Sequence, residues 1–366
     1  MLRLFVGALA RFQFVPLLDT LTRMKVFWHD AQLRHAPRFF LLRGRIHTNF
    51  EVPARAEALL ASCQAMKLEI VTPPQADRTA LLTVHDAAYL DFLRDAHAAW
   101  SLLPDAGEEV VANSHPSPEM IACGARMPEH VIGQAGWFTA DAACPIGRHT
   151  WESALWAASC ALAAANEAVA GRSAYALARP PGHHTFRARA GGHCYVNNAA
   201  LAAERLRALG AERVAVLDID SHHGNGTQGI FWDRPDVLFV SLHGDPNRYY
   251  PWFTGHAAER GGGSGDGFNL NFPLPIGSGD DIWLAALDAG IHAIRDFRGD
   301  ALVVSLSFDA SEHEPLNALS VTEDGFARAG ERIGALGVPT AIIQEGGYNT
   351  SVLGELLARF LVGFGR

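Results

Sequence analysis

The sequence predicts an α/β protein of a single domain, with a central, mostly parallel sheet flanked by helices on both faces. Short apolar runs alternate with helical patterns from Met24 onward, which is the order expected of strand–helix–strand units. Several of these runs are apolar throughout, as in strands that are buried on both faces. The 366 residues, 49% of them hydrophobic and 19% charged, are enough to form one large core.

Residues 1–23 are predicted to be an extension, and residues 24–366 to form the folded domain. The run from Leu4 to Ala10 is similar to the apolar core of a signal peptide, but it is short, Arg11 follows it directly, and no small-residue cleavage site comes after it. No apolar run approaches the roughly 18 residues that a membrane span needs. We therefore expect a cytoplasmic location and no membrane partner.

The composition narrows the possible classes of function. The formal net charge is −9 and only Lys25 and Lys67 are lysines, so no basic cluster is available to bind nucleic-acid phosphates. An acidic balance is compatible with a small cationic substrate. The five cysteines include no C-x-x-C pair, which argues against a disulfide framework or a cysteine zinc site and suits a reducing cytoplasm.

Strands are predicted where short apolar runs end at polar or turn-forming residues. The predicted strands are residues 25–29, 68–71, 173–178, 214–217, 237–242, 301–308 and 339–344. Helices are predicted where apolar residues recur at helical spacing, several of them behind a proline or a capping residue, such as Thr150 as the N-cap of the second helix. The predicted helices are residues 53–67, 151–170, 197–209, 280–297, 322–336 and 351–364.

In three segments the apolar residues recur with no clear helical or strand spacing. Residues 31–52 and 103–148 are predicted to be long loops, of the kind that are usually functional. Residues 260–267 are rich in glycine but lack the lysine of a phosphate-binding loop, and no helix clearly follows them. We interpret this third segment as a turn at the rim of a pocket.

The stretch 218–228 follows the strand at 214–217 and carries the strongest chemical signal. Asp218, Asp220 and His222 are two residues apart, so an extended chain directs all three side chains to one side. On its own, such a pattern is often only a strand end with a capping aspartate and surface histidines. The rest of the chain decides between the two interpretations.

Three other predicted strands, distant in the sequence, also end in polar residues. They end at His183 and His184, at Asp309 and at Tyr348. Because the carboxyl ends of parallel strands meet at one edge of a sheet, we expect one shared pocket there. Buried acids and histidines without a common purpose would cost on the order of several kcal/mol in desolvation. A metal ion is the simplest way to hold them together.

The residue types indicate metal-assisted hydrolysis of a carbonyl bond. Asp220, His222 and Asp309 offer three ligands and leave a position open, as in catalytic zinc sites, although this donor set also accepts Fe²⁺. His183 and His184 are not among these ligands, so they are free to act as general acids or bases. Tyr348, on a Gly-Gly turn, can donate a hydrogen bond to a developing oxyanion.

These motifs resemble those of the histone deacetylase-like amidohydrolases, which have the arginase/deacetylase fold. The resemblance rests on residues 179–184 (RPPGHH), residues 218–228 (DIDSHHGNGTQ), the strand end at Asp309 and residues 345–348 (EGGY), and it covers nearly everything from Met24 onward. Residues 191–198 (GGHCYVNN), 241–246 (SLHGDP) and 249–251 (YYP), with the long early loops, are similar to bacterial acetylpolyamine amidohydrolases.

The resemblance implies a role for each residue. Asp220, His222 and Asp309 match the zinc ligands of the family. His184 matches the general base and acid that activates water and later protonates the leaving amine. Tyr348 matches the donor to the oxyanion.

Further residues match groups that support this chemistry. His183 matches the electrostatic partner of His184, Asp218 matches the carboxylate that orients His183, and Asn225 stands where the partner of His184 lies. A structural site for K⁺ or Na⁺ is also implied. Its residues are Asp218, Asp220, His222, Ser241 and Leu242.

The substrate tunnel shows departures from the family pattern. Gly192, His193 and Tyr250 match positions in its walls, where a histidine such as His193 is unusual. Ser307 and Thr185 stand where glycine and alanine are common. These departures bear on substrate preference and rate, not on the type of reaction.

No residue is obviously placed to bind the distal ammonium group of a polyamine substrate. Leu316 falls where polyamine-selective eukaryotic relatives carry a glutamate, so we name Glu119 and Glu129 in the loop at 103–148 as candidates. An exposed loop carboxylate is more often only a solvated charge.

The function predicted from the sequence is a zinc-dependent amidohydrolase that removes acetyl groups from acetylated polyamines or similar small cationic amides. The alternative substrate is acetyl-lysine in proteins or peptides. A non-catalytic protein of the same fold is disfavoured because the ligands, His184 and Tyr348 are all present. The resemblance implies that the loops at 31–52 and 103–148 are dimer elements, and we expect a homodimer or a higher homo-oligomer.

Overall fold

The structure, a computed structural model, describes residues 23–316 and 318–366. The predicted extension at residues 1–23 lies, apart from Arg23, outside the described residues. Met24 and Val26 at the start of the domain are fully buried. Within the described part of the chain, no helix is long and apolar enough to cross a membrane.

A parallel sheet of eight strands forms the centre of the domain, in the order β4-β1-β5-β10-β9-β6-β7-β8. This confirms the predicted fold class. A separate antiparallel pair is formed by β2 and β3. The strands are β1 Lys25–Phe27, β2 Phe39–Leu42, β3 Arg45–Thr48, β4 Glu69–Val71, β5 Ala174–Ala176, β6 Val214–Asp218, β7 Val237–Gly244, β8 Asn269–Leu274, β9 Ala301–Leu306 and β10 Thr340–Gln344.

Helices connect the strands and cover the sheet. They are α1 Pro53–Ala65, α2 Arg78–Leu81, α3 Ala87–Trp100, α4 Pro118–Ala122, α5 Val131–Phe138, α6 Thr150–Val169, α7 Asn198–Ala208, α8 Asn225–Phe231, α9 Asp280–Phe297, α10 Glu323–Gly334 and α11 Leu353–Phe364. Thr150 is the first residue of α6 and His149 its N-cap. The predicted cap is wrong because the Thr150 hydroxyl instead accepts a hydrogen bond from the backbone N–H of Gly147 at 2.9 Å.

Neighbouring residues of each central strand face two different cores. In β6, Val216 packs into the core that contains α6 and α7, whereas Leu217 packs into the core that contains α1, α9, α10 and α11. Successive side chains of a strand point to opposite faces, so both faces of the sheet are buried. This explains why the strands are apolar without alternation.

The two long segments predicted as loops contain short elements. Residues 31–52 form a tight turn at Asp30–Arg34 and then the β2–β3 hairpin, whose turn residues Arg43 and Gly44 have φ of 51° and 73°. Residues 103–148 contain α4 and α5. The sequence interpretation also missed α3 and β8. Strand β8 contains Pro273 and lies at the edge of the sheet, where a proline is tolerated.

None of the residues 260–267 lines the cleft beyond the strand ends, so the predicted position of this glycine-rich segment at a pocket rim is wrong. Its backbone packs against Trp232, whose carbonyl accepts a hydrogen bond from the N–H of Gly262 at 2.9 Å. A Cβ on Gly265 would come 2.6 Å from the same carbonyl oxygen. The glycines therefore allow close approach of two backbone segments away from the cleft.

Candidate active site

A cleft of about 940 Å³ opens beyond the carboxyl ends of the central strands. His184 follows β5, His222 follows β6 and Tyr348 follows β10, and all three line the cleft. The tip of the β2–β3 hairpin and residues 140–143 and 248–254 form its upper walls. The strand ends that the sequence predicted to share one pocket thus meet in one place.

Asp220, His222 and Asp309 form a buried cluster at the floor of the cleft. Their donor atoms all lie within 4.8 Å of one another. Nδ1 of His222 is 3.0 Å from Oδ1 of Asp220 and 2.9 Å from Oδ2 of Asp309. Backbone N–H groups hold the carboxylates in place, since Ser221 donates to Asp309 at 2.8 Å and Gly346 to Asp220 at 3.3 Å.

The chemistry of this donor set fits a divalent ion. Burial acts to lower the pKa of His222, but Asp309 and Asp220 outweigh it and raise the pKa to about 9. The carboxylates of Asp220 and Asp309 converge on this nitrogen, where either a proton or a bound metal cation can offset their charge. One nitrogen and two carboxylate oxygens are ligands that Zn²⁺ and Fe²⁺ accept.

Gly346 is the residue that lets the Tyr348 turn reach the cluster. A Cβ at this position would come 2.7 Å from Oδ2 of Asp309, 2.8 Å from Oδ2 of Asp220 and 2.8 Å from Oγ of Ser307. Any side chain here would push the ligand carboxylates apart. The first glycine of the EGGY motif, Gly346, is therefore required because its backbone lies so close to these side chains.

His183 is paired with a carboxylate. Its Nδ1 lies 2.9 Å from Oδ2 of Asp218, the last residue of β6. Burial acts to lower the pKa of His183, but Asp220 and Asp218 together outweigh it and raise the pKa to about 10. His183 is therefore cationic at neutral pH.

His184 lies beside it in a different environment. Its Nδ1 donates to Oδ1 of Asn225 at 2.7 Å, and the two histidine rings are 4.0 Å apart. Burial, and then the positive charges of His183 and His222, lower the pKa of His184 well below its ordinary value. A neutral ring that is protonated at Nδ1 leaves a lone pair on Nε2.

Tyr348 is fixed by its backbone and by an arginine behind its ring. Glu314 accepts hydrogen bonds from the N–H of Tyr348 at 2.9 Å. The guanidinium of Arg55 lies 4.7 Å from the centre of the Tyr348 ring and donates to the carbonyls of Glu345 and Gly347. Burial raises the pKa of Tyr348 well above its ordinary value, so the hydroxyl keeps its proton and can donate it in a hydrogen bond.

Several supporting residues were not recognised from the sequence. Glu345 joins two motifs, because its Oε2 accepts from the N–H of Gly182 at 2.6 Å and of His183 at 3.1 Å. Burial raises the pKa of Glu345 to about 7. The motif RPPGHH and the motif EGGY were visible in the sequence, but nothing in the pattern showed that one carboxylate connects them.

A buried group of three charges lies behind the Tyr348 turn. Glu51 contacts Arg55 through one oxygen and lies 2.6 Å from Nε of Arg179 through the other. All three side chains are at most 2% exposed. The pair Glu51 and Arg55, at i and i+4 across the start of α1, gave the only local signal for this group.

Gly192, His193 and Tyr250 all line the cleft, as do the apolar Leu316 and Phe40. The ring of Tyr250 meets His184 edge-on with centroids 4.9 Å apart. His193 is buried, its φ is 65°, and its ring contacts Phe40 edge-on at 5.5 Å. The polar ring of His193 therefore forms part of the wall of the cleft.

Glu119 and Glu129 are not brought to the cleft of this chain. Both side chains are exposed, and neither belongs to the residues that line it. Glu119 lies in the first turn of α4, whose N-cap Ser117 faces solvent. Neither glutamate therefore lines the cleft formed by its own chain, and a contact of either with a substrate stays a prediction.

The residues of the predicted cation site are buried side by side. Asp218 and Ser241 are partners across β6 and β7, and Leu242 follows in the same strand. Oγ of Ser241 is 2.8 Å from Nδ1 of His243. Binding of K⁺ or Na⁺ here stays a prediction.

The two departures noted beside the site are also buried. Oγ of Ser307 accepts from the N–H of Asp309 at 3.2 Å, so the serine helps to orient a carboxylate of the cluster. Thr185 lies behind His184 with a buried hydroxyl that has no partner among the described residues.

A parallel sheet with a buried Asp/His/Asp cluster and a histidine pair at its strand ends defines a domain of the deacetylase type. The histone deacetylase domain family matches residues 49–363, and the chain belongs to this family. An acetylpolyamine amidohydrolase of Burkholderia pseudomallei is 45% identical over 344 residues, 93% of this chain and 99% of that protein. Acetylpolyamine amidohydrolase 1 of Pseudomonas aeruginosa is 42% identical over 343 residues, 93% of this chain and 98% of that protein.

A solved structure supports the same relationship. The crystal structure of an acetylpolyamine aminohydrolase from Burkholderia pseudomallei matches with a TM-score of 0.90 at 44% identity. The match covers 93% of this chain and 98% of that one. The predicted resemblance to the histone deacetylase-like amidohydrolases, and to acetylpolyamine amidohydrolases within them, is confirmed.

Proposed function

We propose that the protein is a metal-dependent amidohydrolase that removes the acetyl group from acetylated polyamines or similar small cationic amides. The observation that carries this proposal is the convergence, in one cleft, of the Asp220/His222/Asp309 cluster with a cationic and a neutral histidine. The names of the two relatives described above support an acetylated polyamine as the substrate.

The metal is held by Asp220, His222 and Asp309 in this proposal, with Zn²⁺ expected and Fe²⁺ as a second candidate. When bound, such an ion lowers the pKa of water and polarises a carbonyl oxygen. The remaining chemistry belongs to the side chains of the cleft.

His184 is the group that moves the proton. Its Nε2 lone pair accepts the proton of the attacking water, and the same nitrogen later delivers it to the leaving amine. Asn225 holds the ring in the tautomer that this task requires. Burial, and then the neighbouring imidazolium of His183, which Asp220 and Asp218 stabilise, keep the pKa of His184 low until negative charge develops on the substrate.

Tyr348 stabilises the charge that develops on the carbonyl oxygen. Its hydroxyl stays protonated because burial raises its pKa, so it serves as a hydrogen-bond donor and not as a base. The Glu314 carboxylate and the Arg55 guanidinium hold the turn that carries it. Such a fixed donor needs no reorganisation during the reaction.

The cleft favours a slender substrate over a folded polypeptide. Its upper walls come from the hairpin tip at Leu41, Leu42 and Arg43 and from the loop at 248–254, so an acetylated side chain must enter between two projecting segments. Acetyl-lysine in a protein remains the alternative substrate. A non-catalytic role finds no support in a site whose residues are all present.

A panel of substrates on one metal-defined preparation tests the proposal. The protein, loaded separately with Zn²⁺ and Fe²⁺, is assayed with N-acetylputrescine, N-acetylcadaverine, N-acetylspermidine and acetyl-lysine peptides. We expect the acetylated amines to have the highest kcat/KM. Comparable turnover of peptides would favour the alternative, and no hydrolysis of any acetylated amine would refute the proposal.

A further inference from the structure

We propose that Asp141 is a positioning residue that fixes two walls of the cleft, Tyr250 and the turn at Gly192, and thereby restricts the site to unbranched amide chains. The inference rests on the proposed function and adds to it the basis of substrate selectivity. Asp141 lies in the long segment 103–148, and among the described residues it is the only acidic one in the walls of the cleft, above the cluster of Asp220, His222 and Asp309.

The carboxylate of Asp141 joins three separate parts of the chain. Its Oδ2 accepts a hydrogen bond from the hydroxyl of Tyr250 at 2.6 Å. The N–H of Gly192 lies 3.3 Å from Oδ1 and 3.2 Å from Oδ2, and the N–H of Ala143 donates to Oδ1 at 2.8 Å. An ionised carboxylate only accepts, so it suits three donors that converge on it.

Backbone hydrogen bonds hold this carboxylate in register with the Gly192 turn. The N–H of Ala140 donates to the carbonyl of Ala190 at 2.7 Å, and the N–H of Ala190 donates to the carbonyl of Phe138 at 2.9 Å. The N–H of His193 donates to the carbonyl of Ala143 at 3.1 Å. Backbone hydrogen bonds before and after Asp141 therefore attach its segment to the Gly192 turn.

The two walls that Asp141 holds are in close contact with His184. A Cβ on Gly192 would come 2.4 Å from Cδ2 of His184 and 2.8 Å from the Tyr250 hydroxyl oxygen. The φ of Gly192 is 51°, a value that glycine adopts without strain. A small displacement of either wall therefore changes the space directly beside the proton-transferring histidine.

Because the hydroxyl of Tyr250 donates its proton to Asp141, it takes no part in the reaction. Burial, and then the charge of Asp141, raise the pKa of Tyr250 well above its ordinary value. The hydroxyl keeps its proton, donates it to Asp141, and leaves the ring as the surface that meets the substrate. Asp141 therefore acts through Tyr250 and Gly192 and not on the reacting atoms.

This geometry predicts a specific selectivity. The substrate chain next to the amide must run along the surface that the Tyr250 ring and the Gly192 turn form together, because both lie beside His184. A methyl branch on the carbon attached to the amide nitrogen needs space that the two walls occupy. Without the Asp141 carboxylate, the Tyr250 hydroxyl and the Gly192 N–H both lose their acceptor, so the two walls can separate.

Two pairs of ligands test the inference with Asp141→Ala, Tyr250→Phe and the double variant. The substrate pair is N-acetylputrescine and its isomer with a methyl group on the carbon attached to the acetylated nitrogen. The ligand pair is hexanohydroxamic acid and its 2-methyl derivative, with Kd measured by calorimetry on the metal-loaded protein. Asp95→Ala, at an exposed aspartate of α3 that pairs with Arg94, is the matched control.

In Asp141→Ala we expect the preference for the linear over the branched compound to fall by about tenfold in kcat/KM and in Kd, the equivalent of one hydrogen bond to a charged group. Adding Tyr250→Phe should change this preference little further, because the partner of the hydroxyl is already absent. Asp95→Ala should keep the preference of the wild type.

The outcomes separate this inference from the proposed function. An unchanged preference in Asp141→Ala, or equal losses for both members of each pair that follow a lower Tm, would overturn the positioning role. If the wild type hydrolyses no acetylated diamine but the hydroxamate preference falls as expected, the proposed function is wrong and the role of Asp141 stands.

Discussion

Nδ1 of His184 donates to the side-chain oxygen of Asn225 at 2.7 Å, whereas the adjacent His183 faces the carboxylate of Asp218. Two histidines next to each other in the sequence therefore have partners of different charge. The pKa of His183 rises to about 10 and that of His184 falls well below its ordinary value. Such a separation of pKa values assigns the neutral ring to proton transfer.

Asn225→Asp should move the acid limb of the pH profile. A carboxylate in place of the amide stabilises the imidazolium and raises the pKa of His184. Because His184 accepts a proton only when it is neutral, kcat/KM should begin to fall at a higher pH than in the wild type. Measurement of kcat/KM against pH checks this, with metal content as the control. An unmoved acid limb at equal metal content would exclude His184 as the base.

Tyr348→Phe should separate metal binding from turnover. The ring and its contact with Arg55 are retained, so the fold and the metal should be unaffected. Loss of one oxyanion donor should lower kcat by about 10²–10³-fold. The measurements are kcat and metal content, and Asp309→Ala, which should lose metal and activity together, is the comparison. A fully active Tyr348→Phe would show that the hydroxyl has another role.

Gly346→Ala should weaken metal binding without removing any ligand. The new Cβ would lie 2.7 Å from Oδ2 of Asp309 and 2.8 Å from Oδ2 of Asp220, so the carboxylates must shift. Changes to groups that support ligands lower metal affinity by about 10–100-fold, and we expect a loss in this range. Competition with a chelator measures the affinity. Gly107→Ala, where no atom lies within 4 Å of the added Cβ, is the control and should bind metal normally.

The floor of the cleft was predictable because its residues terminate strands. Asp220, His222 and Asp309 are chemically distinctive and follow apolar runs, and the sheet topology brings such strand ends together. The walls were not predictable in the same way. Tyr250 and Asp141 are 109 residues apart, and their contact depends on how two irregular segments fold.

Charge alone did not indicate which acidic residue of the same segment lines the cleft of this chain. Glu119 and Glu129 have the carboxylate expected of a residue that binds a cation, yet the structure leaves both exposed and brings Asp141 to the cleft instead. Similarly, Glu345 and Gly182 are 163 residues apart and meet only because β10 pairs with β5. Long-range contacts of this kind leave no local pattern.

Glu51→Gln should destabilise the protein strongly. Glu51 is fully buried and, among the described residues, is the one carboxylate that pairs with both Arg55 and Arg179. Removing one partner of a buried ion pair costs about 3–5 kcal/mol, because the remaining charges stay out of water. The midpoint of urea unfolding measures the loss. Glu355→Gln, which removes the exposed pair with Arg359, should leave the midpoint close to that of the wild type, and equal effects of the two changes would contradict the argument.

His85→Gln should reduce the loss of stability in mild acid. His85 is buried with Nε2 accepting from the N–H of Asn197 at 3.0 Å and Nδ1 donating to the carbonyl of Arg187 at 3.2 Å, so both nitrogens are used by the neutral ring. Burial lowers its pKa from 6.5 to about 4. The unfolded chain therefore binds more protons between these pH values.

The sign of the effect follows from this difference. The contribution of His85 to stability is complete above pH 6.5 and is lost as the pH falls towards 4. Unfolding midpoints of the wild type should therefore fall more steeply over this interval than those of His85→Gln. His292→Gln, at an exposed histidine of α9, is the matched control and should give a curve parallel to that of the wild type. If the curves for His85→Gln and the wild type are parallel, His85 is not held neutral in the folded protein.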